Sequence, residues 1–176
     1  RKPQDEIAKE LLSIQSRPEA KHNHFYSVGS YNESPAGMQF FLDQVQRAPF
    51  KSISYEQFHL TPEPVLRRMV EANKNTIITL SPESHDPAIA KLAGRGVYTN
   101  AEMEAWLDRA LSIGVRQIDI WYFIGMPTQD RDSVKANVEY CAHLLQKFKG
   151  RAVNPMICPM IPFLDPASTF FEFPDQ

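Results

Sequence analysis

Two short apolar runs, each ending in small, polar or turn residues, constrain this chain more than anything else in it. The first is Thr79-Leu80-Ser81-Pro82-Glu83-Ser84. The second is Ile118-Asp119-Ile120-Trp121-Tyr122-Phe123-Ile124-Gly125-Met126-Pro127-Thr128. One amphipathic helical pattern lies between them. Strand, helix, strand at this spacing is a parallel βαβ unit. Chemistry in such units sits at the carboxyl ends of the strands, so Glu83 and Gly125 are expected at a functional rim.

The same alternation extends along the chain. Residues 5–15 carry Ile7, Leu11 and Ile14 at helical spacing, and His24 to Ser30 reads as a strand ending in Gly29-Ser30. Pro35 opens a helix with Met38, Phe41, Leu42 and Val45, and Ser52 to Phe58 alternates like a strand. Pro is tolerated in a first helical turn, so Thr61-Pro62-Glu63-Pro64 starts a helix holding Val65, Leu66, Met69 and Val70. Thr76 to Leu80 is the next strand, and Asp86-Pro87 opens a short helix. Thr99-Asn100-Ala101-Glu102 is a capping box ahead of Trp106, Leu107, Ala110 and Leu111. Arg116 to Ile124 is a strand. Val134, Val138, Cys141, Leu145 and Phe148 form the apolar stripe predicted for the next helix, and Val153 to Ile161 is the last strand.

A helix followed by five such strand units suits an open doubly wound sheet or an incomplete barrel. A dinucleotide-binding domain needs a Gly-rich turn after its first strand, and Val28-Gly29-Ser30-Tyr31-Asn32-Glu33 does not match it. No P-loop is present. The fold class expected is therefore α/β, a parallel partial TIM barrel with outer helices.

Charge and cysteine content narrow the function classes. A net charge of −2 leaves no electrostatic footprint for nucleic acid or an anionic membrane. No apolar run reaches the roughly 18 residues that span a bilayer, and no signal peptide is seen. The two cysteines, Cys141 and Cys158, are too few for a disulfide framework or a Cys-only metal site. A reducing, cytoplasmic setting is the expectation. The chain starts at Arg1 rather than Met, and it is expected to be cut from something longer.

Three ordered pieces carry a family resemblance. Leu80-Ser81-Pro82-Glu83-Ser84, then Leu92-Ala93-Gly94-Arg95-Gly96-Val97-Tyr98-Thr99, then Phe123-Ile124-Gly125-Met126-Pro127-Thr128 resemble the radical S-adenosylmethionine (radical SAM) superfamily. The similarity runs from about residue 5 to 166. It implies an incomplete (β/α)6 barrel, of which residues 1–166 look like the part lacking the first strand, with 167–176 as a tail leading out. It implies S-adenosylmethionine and a [4Fe–4S] cluster as cofactors of the intact parent. The family's cluster loop is C-x3-C-x2-C, which Cys141 and Cys158 do not supply, so its ligands are expected before Arg1. The segment Pro162-Phe163-Leu164-Asp165-Pro166-Ala167-Ser168 is similar to members with an N-terminal cobalamin-binding domain, which adds cobalamin to the parent's expected cofactors.

The resemblance also assigns cofactor-binding residues. Glu56 ends a strand where a carboxylate can bind the cofactor's ammonium by a charge-assisted bond; the bland alternative is a solvated rim carboxylate. Glu83 matches a polar ribose or methionine contact. Arg95 matches an arginine facing the methionyl carboxylate, which its planar fork suits; a surface salt bridge is the alternative. Phe123, Ile124 and Gly125 match an adenine-binding strand end, where apolar side chains stack and glycine permits close approach. Ser27 and Ser30 are weaker rim candidates. No residue is assigned to catalysis, and no metal ligand is expected in the chain.

The remaining candidates read as structural. His22-x-His24 has the look of a metal pair but precedes its strand, so it faces the floor of a barrel. His85 and His59 sit near the rim and are open to substrate contact. His143 reads as helix surface, and Cys141 and Cys158 as small core residues. Trp121 and Tyr122 alternate on their strand, so they face opposite sides of the sheet. Two rivals stand beside the radical SAM expectation. One is a binding barrel without redox work. The other is an unrelated barrel lyase or hydrolase, which needs a metal set or a Schiff-base lysine at a strand end, and no strand's carboxyl end carries Lys.

Overall fold

The computed structural model describes residues 3–27, 35–48, 50–95 and 97–159. Five strands form one sheet in chain order: β1 (His24–Ser27), β2 (Ser52–Gln57), β3 (Thr76–Glu83), β4 (Gln117–Ile124) and β5 (Val153–Pro159). Every pairing is parallel, as Ile53 opposite Thr76, Ile77 opposite Gln117 and Ile118 opposite Val153 show. Helices α1 (Gln4–Gln15), α2 (Pro35–Arg47), α3 (Glu63–Ala72), α4 (Pro87–Leu92), α5 (Asn100–Ile113) and α6 (Arg131–Lys147) alternate with them. This is the predicted α/β arrangement, a partial barrel wall. Among the described residues β1 pairs with β2 alone, so it forms the sheet edge.

The core explains why the elements close as they do. Ile53, Tyr55, Ile78, Leu80, Ile118, Ile120 and Tyr122 alternate along β2, β3 and β4 onto one face. There they pack with Leu42, Leu66, Met69, Met103, Leu107 and Leu144 from α2, α3, α5 and α6. Each such fully buried side chain contributes roughly 1.5–3 kcal/mol. A smaller cluster of Leu11, Ala20 and Phe50 seats α1. The caps are local. Thr99 accepts from Glu102 N–H at 3.2 Å while Glu102 accepts from Thr99 N–H at 2.7 Å, and α5 ends on Gly114 at φ 113°.

The opposite face carries the alternate residues, Ser54, Glu56, Thr79, Asp119 and Asn154 among them. The last four belong to one row across adjacent strands. Asp119 accepts from Asn154 at 2.9 Å and from Gln117 at 2.9 and 3.0 Å.

Two expectations are corrected. The α6 stripe is rotated: Asn137, Cys141 and Leu144 are buried, while Val138 is 48% and Leu145 55% exposed. Counting apolar residues chose the wrong phase because position 137, the buried one, holds a polar residue with backbone partners. The third strand also continues past Leu80 to Glu83 with a change of register, Leu80 opposite Ile120 and Glu83 opposite Tyr122. Pro82 lacks the N–H a ladder needs, so the strand carries an extra residue there. The strand prediction over 28–30 and 160–161 and the segment 162–168 lie outside the described residues.

Candidate functional site

The irregularity in β3 sets the geometry of the rim. With Pro82 out of the ladder, Glu83 adopts φ +68°, a left-handed conformation uncommon for a residue with a side chain. Such bulges and strained positions gather at functional sites. From there the Glu83 carboxylate meets Arg95 Nη2 at 3.1 Å, with side-chain exposures of 14% and 22%. Arg95 reaches back from the loop after α4, and its Cζ lies 3.8 Å from the centre of the Phe58 ring, just beyond β2. The guanidinium therefore bridges the ends of β2 and β3, held by charge on one side and a ring face on the other.

The electrostatics of this corner are unusual. Burial pushes the Glu83 carboxyl above its ordinary value, the Arg95 charge and hydrogen bond oppose that, and the Glu56 charge adds to it. Tyr98 is driven far up, first by burial, with Arg95 opposing. Arg95 Nε and Tyr98 Oη are both buried, and among the described residues neither has a hydrogen-bond partner. Two unsatisfied buried polar atoms beside one ion pair need an explanation, and an acceptor-bearing ligand is one.

The neighbouring strand end is built differently. Gly125 takes φ 90° and Thr128 φ 66° in the turn after β4. The Gln129 carboxamide folds back onto that turn. It accepts from Gly125 N–H at 2.8 Å and Met126 N–H at 3.2 Å, and donates to the Phe123 carbonyl at 3.0 Å. The Gly125 N–H and the Phe123 carbonyl, at the strand end matched to adenine binding, are thus engaged by Gln129. The side chains of Phe123 and Ile124 are half-buried at the same end.

The parallel topology brings Glu56, Glu83 and Gly125 to one rim, with Arg95 beside Glu83. Glu56 pairs with Thr79, four residues before Glu83, and so lies one level deeper in the wall. Ser27 ends β1 in the alternation shared with Phe25, which packs into the helix-side core, and Ser30 lies outside the described residues. His24 sits at the opposite end, its Nδ1 2.7 Å from Ser52 Oγ. His143 is on the surface, 3.2 Å from Glu104. His59 lines a cavity of about 500 Å³ with Met38, Leu42, Phe58 and Val65; Glu83 and Gly125 are not among its walls. Among the described residues no three His, Cys, Asp or Glu gather as metal ligands. No described helix is long and apolar enough to cross a membrane.

Sequence reasoning missed Phe58, Tyr98, Gln129 and Asn137. Only Asn137 left a signal, a polar residue between the apolar positions Val134 and Cys141.

No family model matches this chain, and no curated protein does. Solved structures do. Coproporphyrinogen III oxidase HemN from Escherichia coli, described as a radical SAM enzyme, is similar at a TM-score of 0.57 and 15% identity, over 82% of this chain and 36% of that one. HydG, a maturase of the [FeFe]-hydrogenase, is similar at a TM-score of 0.59 and 12% identity, over 92% of this chain and 37% of that one. The chain thus spans little more than a third of either neighbour's length. Parallel strands in chain order with outer helices give this chain the fold that part of each of these two proteins also has.

Proposed function

We propose that this chain is the S-adenosylmethionine-binding part of a radical SAM enzyme barrel. The observation that carries the reading is the Glu83–Arg95 pair with its orphaned neighbours. The amino-acid end of S-adenosylmethionine bears an ammonium and a carboxylate a few ångströms apart. A carboxylate and a guanidinium held side by side match that pattern of charge. Arg95 takes the carboxylate, its buried Nε and the Tyr98 hydroxyl supplying further donors. Glu83, with Glu56 below it, takes the ammonium. Phe123 and Ile124 offer adenine an apolar wall, and Gly125 lets it approach the backbone closely.

In the intact parent an iron–sulfur cluster would supply the electron for reductive cleavage of the sulfonium. Such clusters are held by thiolates. Cys141 packs into the helix-side core, while Cys158 lies on β5 opposite Phe123 and out of that core. The two thiols do not fit one cluster, so the ligands belong to another segment of the parent. This separation also favours the second reading, a nucleotide-binding barrel that does no redox work.

Equilibrium titration with S-adenosylmethionine tests the seat. Arg95→Ala and Glu83→Ala are each expected to weaken binding at least tenfold, about 1.4 kcal/mol. Unchanged affinity in both variants removes the assignment. Iron and sulfide assay of the intact parent after anaerobic reconstitution separates the enzyme from the binding module.

A further inference from the structure

We infer that Asn137 is a positioning residue that couples the Glu83 side of the rim to the Phe123–Gly125 side. The inference rests on the S-adenosylmethionine seat for its functional meaning, though not for its geometry. Asn137 is wholly buried on α6. Its Oδ1 accepts from the His85 backbone N–H at 2.8 Å and lies 2.9 Å from His85 Nδ1. Its Nδ2 donates to the Phe123 carbonyl at 3.3 Å. The backbone N–H donates only, so the facing atom is the amide oxygen, and a neutral His85 carries its proton on Nδ1.

The Phe123 carbonyl is shared. Gln129 donates to the same oxygen at 3.0 Å and holds Gly125 N–H at 2.8 Å through its other end. One unbroken hydrogen-bonded path therefore runs from His85, two residues after Glu83, through Asn137, Phe123 and Gln129 to Gly125. Asn100 of α5 secures the other side of the segment, donating to the His85 carbonyl at 2.9 Å.

The energetics single out this role. Position 137 sits in a line of buried residues with Cys141 and Leu144, where leucine would bury more apolar surface. A buried carboxamide is tolerated only when satisfied. Among the described residues the Asn137 side chain bonds to the rim, at His85 and Phe123, and to nothing on its own helix. A residue that stabilises nothing local, and bonds two strand ends at once, sets their relative position. Bound S-adenosylmethionine spans both ends, so the spacing Asn137 enforces is the spacing the ligand must meet.

Amide hydrogen exchange on the full chain, read at His85 and Gly125, is the test. Gln129→Leu touches only the Gly125 side. Coupling predicts that it nonetheless speeds exchange at His85 about tenfold. In an Asn137→Leu background the same change adds nothing at His85; Asn137→Thr serves if the leucine variant does not fold. Exchange at His85 unmoved by Gln129→Leu overturns the inference. The second arm is S-adenosylmethionine binding, which Asn137→Leu should weaken about tenfold, with ligand protecting both amides in the parent sequence. Cross-talk without ligand binding refutes the seat and leaves the coupling standing. Ligand binding without cross-talk refutes the coupling and leaves the seat.

Discussion

Glu83 and Arg95, each expected to contact the ligand, grip each other across 3.1 Å, and the carboxylate does so from a left-handed backbone. Burial still outweighs the arginine, and the Glu83 carboxyl stays above its ordinary range. The sign of its pH effect follows. Between the unfolded and folded values the native chain holds a proton that the unfolded chain has released, so stability falls as pH rises through that window. Above the window the cost of the buried charge is fully present. Glu83→Gln should flatten this stretch of the profile. Urea midpoints of both proteins, taken from about pH 4 to neutrality, check it. A difference between them that does not change with pH is the contrary result.

Arg95→Lys is expected to fail as a conservative change. Lysine keeps the charge but loses the planar fork and the stacking on Phe58, 3.8 Å from the arginine Cζ. S-adenosylmethionine affinity should drop about tenfold, by roughly 1.4 kcal/mol. Calorimetric titration of the two proteins measures this. Equal affinity would show that the fork is not used.

The two thiols should differ in reactivity. Burial pushes the Cys141 thiol up to about 11, so little thiolate is present near neutral pH. Cys158 is only half-buried. Iodoacetamide should label Cys158 in the folded protein and reach Cys141 only after denaturation. Peptide mass mapping of a time course reads both sites, and early labelling of Cys141 would contradict its packing.

Tyr122 carries a phenol it hardly uses. The side chain is fully buried, and among the described residues its hydroxyl bonds only to the Met103 sulfur at 3.9 Å, a weak acceptor. Tyr122→Phe should leave stability within about 1 kcal/mol. Tyr122→Ala, which empties the space between α5 and α6, should cost about 3–5 kcal/mol. Denaturant unfolding of the pair separates ring packing from hydroxyl bonding.

Much of this molecule was legible from its residues. Apolar periodicity marked each of the five strands and the helices between them. The Thr99 to Glu102 box marked the start of α5, and the helical crossovers between neighbouring strands marked them as parallel. Parallel order then put Glu56, Glu83 and Gly125 at one rim. These features are local, or follow from chain connectivity, and so they are written along the sequence.

What only the tertiary structure decided are the partnerships. Nothing in the spacing of Glu83 and Arg95 says that they bond each other, because a loop of that length can turn its arginine anywhere. In the run from Val134 to Phe148 a polar residue interrupts the apolar positions at Asn137, but its spacing does not say that α6 buries Asn137 and exposes Val138. A periodicity count scores residue type. The face a helix presents is chosen by what waits opposite, and here His85 N–H and the Phe123 carbonyl waited for a carboxamide. Backbone groups at two strand ends, far apart in the chain, set the phase of the helix. Hydrogen bonds between distant residues leave no trace in local composition.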